Sequence, residues 1–319
     1  MKTLPHLTEL SAAQLRQYID AEAVFSALEQ AGRDASEVRG SMFWRQQGAN
    51  TYLIRASAGG AQTSLGPRSE ENLAIHQRFV ERKQAAEERV KNLRSALQQQ
   101  QRLNRALRVG RAPPIVVDTL SAIAKAGLDT HFVVVGTHAL FAYEAAAGVM
   151  VESGATATQD VDLLFDTRRR LRFWSQLKRL DSSFLSVLRK ADKSFRVRPG
   201  QLYTVVNDAG FEVDVVRRIK AEGNPHPLRL SDDEDDLWPV QIPTGQDLLN
   251  AERFSRMVVS ASGSMARMHT VDPRAFVRVK RWLAAQKERD PLKRRKDQLQ
   301  ADIVAALVEN YLPQLDAQA

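Results

Sequence analysis

The chain reads Ala157-Thr-Gln-Asp-Val-Asp-Leu-Leu-Phe165 at its middle, with two acids at the start of an apolar run. A short apolar run of this kind is typical of a buried strand. Because side chains alternate between the two faces of a strand, Asp160 and Asp162 project from the same face. Two carboxylates placed in this way can hold one or two divalent cations.

A third acidic strand is predicted downstream, at Phe211-Glu-Val-Asp-Val-Val216. Glu212 and Asp214 share one face of this strand, so alternation alone leaves open which of them joins the first two acids. A hairpin is predicted from Leu202-Tyr-Thr-Val-Val206 and the connection Asn207-Asp-Ala-Gly210. The third acidic strand should therefore run antiparallel to the strand before it.

A turn able to bind an anion is predicted upstream. The chain reads His131-Phe-Val-Val-Val-Gly-Thr-His138 and continues into an alanine-rich stretch at 139–147, which predicts a strand, a tight turn at Gly136 and Thr137, and a helix. Such a turn presents backbone N–H groups to a phosphate. Together with three strand-borne acids it outlines metal-assisted phosphoryl or nucleotidyl transfer. An isolated Asp-x-Asp pair is weaker evidence, because paired acids also serve as solvated or capping groups.

These elements, taken in order, resemble the DNA polymerase β-like nucleotidyltransferase superfamily. The shared pattern is Gly-[Ser/Thr] at a strand end, then Thr-x-Asp-hydrophobic-Asp-hydrophobic, then one Asp in a later apolar strand. Within the superfamily the chain is similar to bacterial stand-alone transferases, including the AbiEii-like, type IV toxin-related group. The resemblance covers residues 130–220 and, more loosely, 240–312. It implies an α+β fold in which a mixed sheet is flanked by helices.

The resemblance also implies roles for particular residues. Its metal ligands fall on Asp160, Asp162 and Asp214. Asp214 is favoured over the glutamate two positions before it because apolar residues flank it as they do in the family pattern, and it would lie next to the attacking hydroxyl. Gly136 and Thr137 would contact the triphosphate of an NTP substrate. The implied cofactor is Mg²⁺ or Mn²⁺.

Two departures from the family pattern stand out. Thr137 occupies a position where the family usually has Ser, and this change keeps the hydroxyl. The segment between Thr137 and Asp160 is longer than is usual in the family, so we expect residues 147–157 to form an extra loop beside the site.

The C-terminal part of the chain is predicted to contain a hairpin across 253–270 and two helices that start at Pro273 and Pro291. By resemblance to the AbiEii-like group, Lys280 on the first helix contacts the triphosphate, and Asp297 on the second helix orients Lys280. We expect Lys280 on the exposed face of its helix. The alternative is that the aliphatic stem of Lys280 only covers apolar surface.

Composition divides the chain into three regions: an accessory region 1–112, a catalytic domain 113–240, and a C-terminal segment 241–319 that closes the nucleotide cleft. The accessory region is predicted to hold two helical stretches within 11–30, a small β-meander within 41–65 and a long helix across 69–109. The apolar positions of the long helix are too sparse for a coiled-coil seam, so it is a candidate surface for a cognate protein partner or a second subunit.

Positive charge is concentrated in two places. The formal net charge is +8, and Lys and Arg cluster at 168–198, between the second and third acids, and at 274–296. Basic surface beside a metal site favours a polyanionic substrate such as RNA, because phosphate binding releases counterions. The alternative is an ordinary solvated helix face. The acidic run 231–236 is interpreted as a solvated loop, because consecutive acids lack the spacing that focuses ligands on an ion.

Cysteine is absent from the 319 residues, which excludes disulfides and thiolate metal sites. No apolar stretch approaches the roughly 20 residues needed to cross a bilayer, and the first residues lack the apolar core of a signal peptide. We therefore expect a cytoplasmic protein that does not enter the membrane.

The sequence predicts a Mg²⁺-dependent nucleotidyltransferase that moves an NMP from an NTP to a hydroxyl acceptor, RNA of a tRNA-like kind, with release of pyrophosphate. One alternative is a catalytically silent nucleic-acid-binding or antitoxin-like protein on the same fold. Another is a phosphohydrolase, although such enzymes generally need further His or Asp ligands in ordered motifs. A third keeps the chemistry and changes the acceptor to a protein or a small molecule.

Overall fold

A computed structural model describes residues 6–219 and 228–318 of the chain. The chain forms two compact units, one of residues 17–103 and one of residues 1–16 with 104–319, as far as these are described. The division at 112/113 and 240/241 made from composition stays a prediction.

The unit of residues 17–103 contains a three-stranded antiparallel sheet in the order β2-β3-β4 and most of two long helices. The first elements of the chain are β1 Leu7–Glu9, α1 Ala12–Glu37, β2 Ser41–Gln47, β3 Asn50–Ala56, β4 Gln62–Pro67 and α2 Glu70–Leu107. The predicted meander and long helix are confirmed. The two predicted helical stretches within 11–30 are wrong, because one helix, α1, runs through the whole segment.

The rest of the chain alternates strands with helices. Its elements are α3 Pro114–Lys125, β5 Phe132–Val135, α4 Leu140–Ala147, β6 Val149–Val151, α5 Ser153–Thr156, β7 Asp160–Phe165, α6 Arg170–Leu180, α7 Phe184–Leu188, β8 Arg196–Arg198, β9 Gln201–Val206, β10 Glu212–Arg218, β11 Val240–Ile242, α8 Gly245–Asn250, β12 Arg253–Val259, β13 Met265–Val271, α9 Pro273–Ala285 and α10 Pro291–Tyr311.

The main sheet has the order β5-β7-β10-β9-β8, with β11 beside the C-terminal end of β10. β10 runs parallel to β7 and antiparallel to β9, and β5 runs antiparallel to β7. The predicted hairpin of β9 and β10 is confirmed, as is the hairpin of β12 and β13. The α+β fold with a mixed sheet flanked by helices is therefore also confirmed.

The core of this unit lies on both faces of the main sheet. All four residues of β5 are buried, and so are the last three of β7. Four aromatic rings pack on one another there, and Phe132 stacks on Phe184 with ring centroids 4.6 Å apart. Rings that pack in this way add about 0.5–1.5 kcal/mol to the effect of burial alone. The acid-bearing ends of β7 and β10 are thus attached to a rigid core.

Residues 147–157 do not form the loop that we expected. They contain β6, which pairs antiparallel with β1 so that Leu7 lies opposite Val151, and the single-turn helix α5. The partner strand lies about 140 residues earlier in the chain, so no local pattern could have indicated the pairing.

The acidic run 231–236 is only partly the solvated loop that was predicted. Its acids at 232–235 are exposed, but Asp236 is 2% exposed. Its carboxylate accepts hydrogen bonds from the backbone N–H groups of Phe184 and Leu185, at 2.9 and 3.0 Å. These N–H groups begin α7 and have no partner within the helix, so Asp236 caps it from a distant segment.

Among the helices of residues 6–219 and 228–318, none combines the length and the hydropathy that crossing a bilayer requires.

Candidate active site

Three acids converge at one end of the main sheet. The parallel register of β7 and β10 places Asp162 opposite Asp214, and Asp160 opposite Glu212. One carboxylate oxygen from each of Asp160, Asp162 and Asp214 lies within 4.8 Å of the other two. Three carboxylates at this spacing offer the hard oxygen ligands that Mg²⁺ and Mn²⁺ prefer.

The acid that joins the first two is Asp214, the one that the sequence pattern favoured. Glu212 instead forms an ion pair with Arg198, with 2.7 Å between Oε1 and Nη1. The side chain of Asp214 accepts a hydrogen bond of 2.6 Å from the Thr204 hydroxyl on β9. The structure therefore shows which of these two acids joins the cluster, a choice that the alternation of side chains along the strand left open.

Threonine hydroxyls orient two of the three carboxylates. Thr158 donates to Asp160, and Thr204 donates to Asp214. Sequence reasoning missed Thr204, although the predicted hairpin carried the signal, because the antiparallel register of β9 and β10 places Thr204 directly opposite Asp214. Each hydroxyl restricts the rotation of the acid that it contacts.

Electrostatic repulsion acts among the three acids. Burial, and then the charges of Asp160 and Asp214, raise the pKa of Asp162 to about 7. Burial is also the largest cause that raises the pKa of Asp214. Carboxylates this close cannot all stay ionised at low cost unless a positive charge joins them. The cluster is thus suited to a cation.

The predicted turn lies directly against the acids. Gly136 has a φ of 69°, a left-handed conformation that favours glycine. A Cβ at this position would overlap the Oδ2 atom of Asp162, so a larger residue would also displace the carboxylate of Asp162. Thr137 follows in the single helical turn Gly136–Ala139 that leads into α4, and its hydroxyl accepts a hydrogen bond of 3.1 Å from Gln300.

Lys280 is buried rather than exposed, so the expectation for its position is wrong. It is 7% exposed, and its Nζ lies 2.8 Å from Oδ1 of Asp297, which is itself 2% exposed. The spacing already contained the reason, since Phe276 and Val277 lie four and three residues before Lys280 and so share its helix face. The buried face of α9 packs on α10, and Lys280 meets Asp297 in that contact.

Two further cations near the acids were missed. Arg289 binds the second oxygen of Asp297 at 2.8 Å, and its charge together with that of Lys280 offsets part of the increase that burial and the neighbouring acids cause in the pKa of Asp162. Lys296 donates to the backbone carbonyl of Ala157 at 2.6 Å, and burial and then Lys280 lower its pKa. Arg289 lies between two helices and Lys296 in a basic run, so neither had a distinctive pattern.

A cavity of about 370 Å³ adjoins the acids. Gly136, Asp162, Lys280 and Arg289 are part of its wall. The remaining wall is mainly apolar, with two polar side chains, and comes from Val135, Val216, Ile242, Pro243, Thr244, Leu248, Val271, Phe276, Val279, Trp282, Leu283 and Gln286. A mostly apolar cavity with a few convergent polar groups is the usual form of a small-molecule site.

The predicted basic cluster of 168–198 does not form one surface beside the acids. Arg198 lies there, paired with Glu212. Arg168 lies at the opposite end of β7, where it and Arg253 pair with the buried Asp166 at 2.8 and 3.4 Å. Part of the cluster therefore stabilises the far end of the sheet.

A family model described as a nucleotidyltransferase matches residues 114–319, which is more than half of the chain. The matched range contains the three acids, the turn, and both helices that bring the cations. No curated protein and no solved structure matches the chain.

Proposed function

The chain belongs to the nucleotidyltransferase family whose model it matches, and we propose on that basis that it moves an NMP from an NTP to a hydroxyl acceptor and releases pyrophosphate. The observation that carries the proposal is the convergence of Asp160, Asp162 and Asp214, whose oxygens lie within 4.8 Å of one another. The turn at Gly136 and the cavity adjoin this cluster, so the reacting groups of an NTP have a place beside it.

The residues present fit a divalent cation. The donor set is three carboxylates, and the raised pKa of Asp162 reflects negative charge that a cation would neutralise. Asp160, Asp162 and Asp214 would hold one or two Mg²⁺ or Mn²⁺ ions, which when bound supply charge stabilisation to the triphosphate and lower the pKa of the acceptor hydroxyl.

The protein's own groups bind the phosphates that leave. The Gly136 N–H and the Thr137 hydroxyl would donate to their oxygens, and Lys280 would contact them as a cation. Asp297 holds Lys280 and Arg289 in place through its two oxygens, each at 2.8 Å. Positioning of this kind matters in phosphoryl transfer, since the protein has little covalent chemistry to do.

The acceptor oxygen attacks the α-phosphorus as the bond from that phosphorus to the bridging oxygen of pyrophosphate breaks. Asp214 takes the proton of the acceptor hydroxyl. Burial raises the pKa of Asp214, which makes it a better proton acceptor than an exposed aspartate. The apolar cavity beside Asp162 receives the base and sugar of the nucleotide, with Trp282 in its wall.

RNA is the acceptor that the charges favour. Burial raises the pKa of Asp214, and the charge of Arg198, which pairs with Glu212, lies close enough to offset part of that increase; the chain carries a net charge of +8. A cation beside the proton-accepting acid suits a polyanionic acceptor. The similarity to AbiEii-like, type IV toxin-related transferases, a toxin role, and a cognate partner or second subunit on the 69–109 helix stay predictions.

Transfer is tested by incubating the purified protein with Mg²⁺, each α-radiolabelled NTP in turn and total bacterial RNA, and resolving the products on a gel. We expect label on RNA with the wild type and none with Asp160→Ala/Asp162→Ala. Label on the protein itself would support transfer and change the acceptor. Absence of label and of Mg²⁺-dependent binding with every NTP would contradict the proposed function and leave the catalytically silent alternative.

A further inference from the structure

Gln300 lies completely buried on α10, one helical turn after Lys296 and Asp297. Residues three and four positions apart on a helix share a face, so the side chain of Gln300 lies next to those of both Lys296 and Asp297. Lys296 and Asp297 have contacts near the acids, as described above. Gln300 is a neutral but polar side chain on this face, so its burial requires hydrogen-bond partners.

The amide of Gln300 contacts two oxygen atoms through its nitrogen. Nε2 lies 2.7 Å from the backbone carbonyl oxygen of Ala155 and 3.1 Å from the hydroxyl of Thr137. The Oε1 atom accepts no hydrogen bond from the described part of the chain. The position of the amide is therefore fixed by its two donated hydrogen bonds.

The orientation of this amide follows from elementary chemistry. A carbonyl oxygen can only accept a hydrogen bond, so the group facing Ala155 must be the NH₂ and not the oxygen of the amide. Exchanging the two would place two acceptors 2.7 Å apart in a buried site. One NH₂ hydrogen thus binds Ala155, and the other points at Thr137.

This orientation of the amide determines which hydrogen bonds the Thr137 hydroxyl can form. A hydroxyl has one hydrogen and two lone pairs, and here one lone pair accepts from Gln300. Its own hydrogen cannot go to Gln300, because an NH₂ group is a poor acceptor. The hydrogen remains available for another oxygen, and a phosphate, which only accepts, is the complementary partner.

We infer that Gln300 is a positioning residue that orients the Thr137 hydroxyl as a hydrogen-bond donor to the triphosphate. The inference rests on the proposed function. Gln300 also attaches α5, through Ala155, to the same helix that carries Lys296 and Asp297. The hydroxyl of the turn and the cations of α10 are thereby held in one arrangement for the same phosphates.

The test is a double-mutant cycle on nucleotide binding. Dissociation constants are measured for each NTP in turn with Mg²⁺, using the wild type, Thr137→Val, Gln300→Met and the double variant. Met keeps the length of Gln and removes both donors, and Val keeps the shape of Thr and removes the hydroxyl. Thermal unfolding of each variant shows whether the fold is kept.

We expect Gln300→Met and Thr137→Val each to weaken binding by about 10- to 100-fold, the effect of one lost hydrogen bond to a charged group. If Gln300 acts through the hydroxyl, the double variant binds no more weakly than Thr137→Val alone. Thr137→Ser keeps a hydroxyl and should therefore keep the dependence on Gln300.

Binding by Gln300→Met that equals the wild type, or losses that multiply in the double variant, would overturn the inference while leaving the proposed function intact. Failure of the wild type itself to bind any NTP would overturn both. Should Gln300→Met fail to fold, Gln300→Asn serves in its place, because its amide is one methylene too short to reach both oxygens.

Discussion

The acids and the cations of the candidate site come from two different kinds of structure. Asp160, Asp162 and Asp214 lie on adjacent parallel strands, where a two-residue spacing fixes the face of each side chain. Lys280, Arg289 and Lys296 come from two helices and their connection. Their meeting depends on how α9 packs on α10. The three acids, which we call the acidic half of the site, are thus positioned by local sequence. The three cations, which we call the basic half, are brought together by tertiary packing.

Neutralising Asp162 should have the largest effect on activity. Asp162→Asn keeps the volume and removes the charge at the centre of the cluster, so we expect transfer to fall by about 10²- to 10³-fold, as other losses of electrostatic stabilisation do. Single-turnover transfer of labelled NMP measures it. Glu212→Gln on the same strand face of β10 is the matched control, and an equal loss there would contradict the separation of the two acids.

Breaking the buried ion pairs of the basic half should affect stability most. Asp297→Asn leaves Lys280 and Arg289 without their carboxylate, and removing one partner of a buried pair costs about 3–5 kcal/mol. Thermal unfolding should show a Tm lower by roughly 6–15 °C. Asp302→Asn, an exposed acid on the same helix, is the control and should change the Tm by less than about 2 °C. Equal effects would mean that the pairs do not stabilise the packing.

Removing one cation should weaken nucleotide binding more than it slows chemistry. Lys280→Met keeps the aliphatic stem and loses the charge, so we expect the KM for NTP to rise by about 10- to 50-fold, with a smaller change in kcat. Steady-state kinetics of the NTP dependence measure this. Lys287→Met, at an exposed position just after α9, should leave the KM unchanged. A KM that stays at the wild-type value would favour the alternative that Lys280 only covers apolar surface.

The smallest expected effect is a pH dependence of stability from the acidic half. The pKa of Asp162 is raised from 3.8 to about 7, so the folded chain holds this proton more tightly than the unfolded chain. Its contribution to stability is complete below 3.8 and is lost as the pH rises through about 7. The Tm of the metal-free protein should therefore fall by about 2–6 °C between roughly pH 6 and 8.

Mg²⁺ should raise the Tm more at the higher pH, because the ion binds the ionised carboxylates. Asp162→Asn should remove most of the slope, and Asp232→Asn, an exposed acid, should not. A metal-free Tm that rises over this pH range would contradict the charge repulsion described for the cluster.

The contrast between acids placed by local sequence and cations placed by tertiary packing explains which features the sequence could predict. The strands, the turn at Gly136 and the three acids were predictable because alternation and turn chemistry act over a few residues. Pairing of β6 with β1 was not, since the partners lie at distant points of the chain. The burial of Lys280 follows from the spacing of α9, because Phe276 and Val277 share its helix face.

Other features had no local signal. The cavity is built from segments of several strands and two helices, and it exists only once they have packed. Gln300 appears as an ordinary polar residue of a helix until the helix meets the turn. Such side chains become recognisable only through the contacts that the fold creates.

The most direct test of the proposed site is a titration with Mn²⁺, followed by the loss of the free-ion EPR signal, on the wild type and on Asp160→Asn/Asp162→Asn without added NTP, because a triphosphate itself binds the ion. We expect the wild type to bind the ion and the variant to bind it at least about tenfold more weakly. Equal affinity in the two proteins would show that these carboxylates do not hold the metal and would contradict the proposed site.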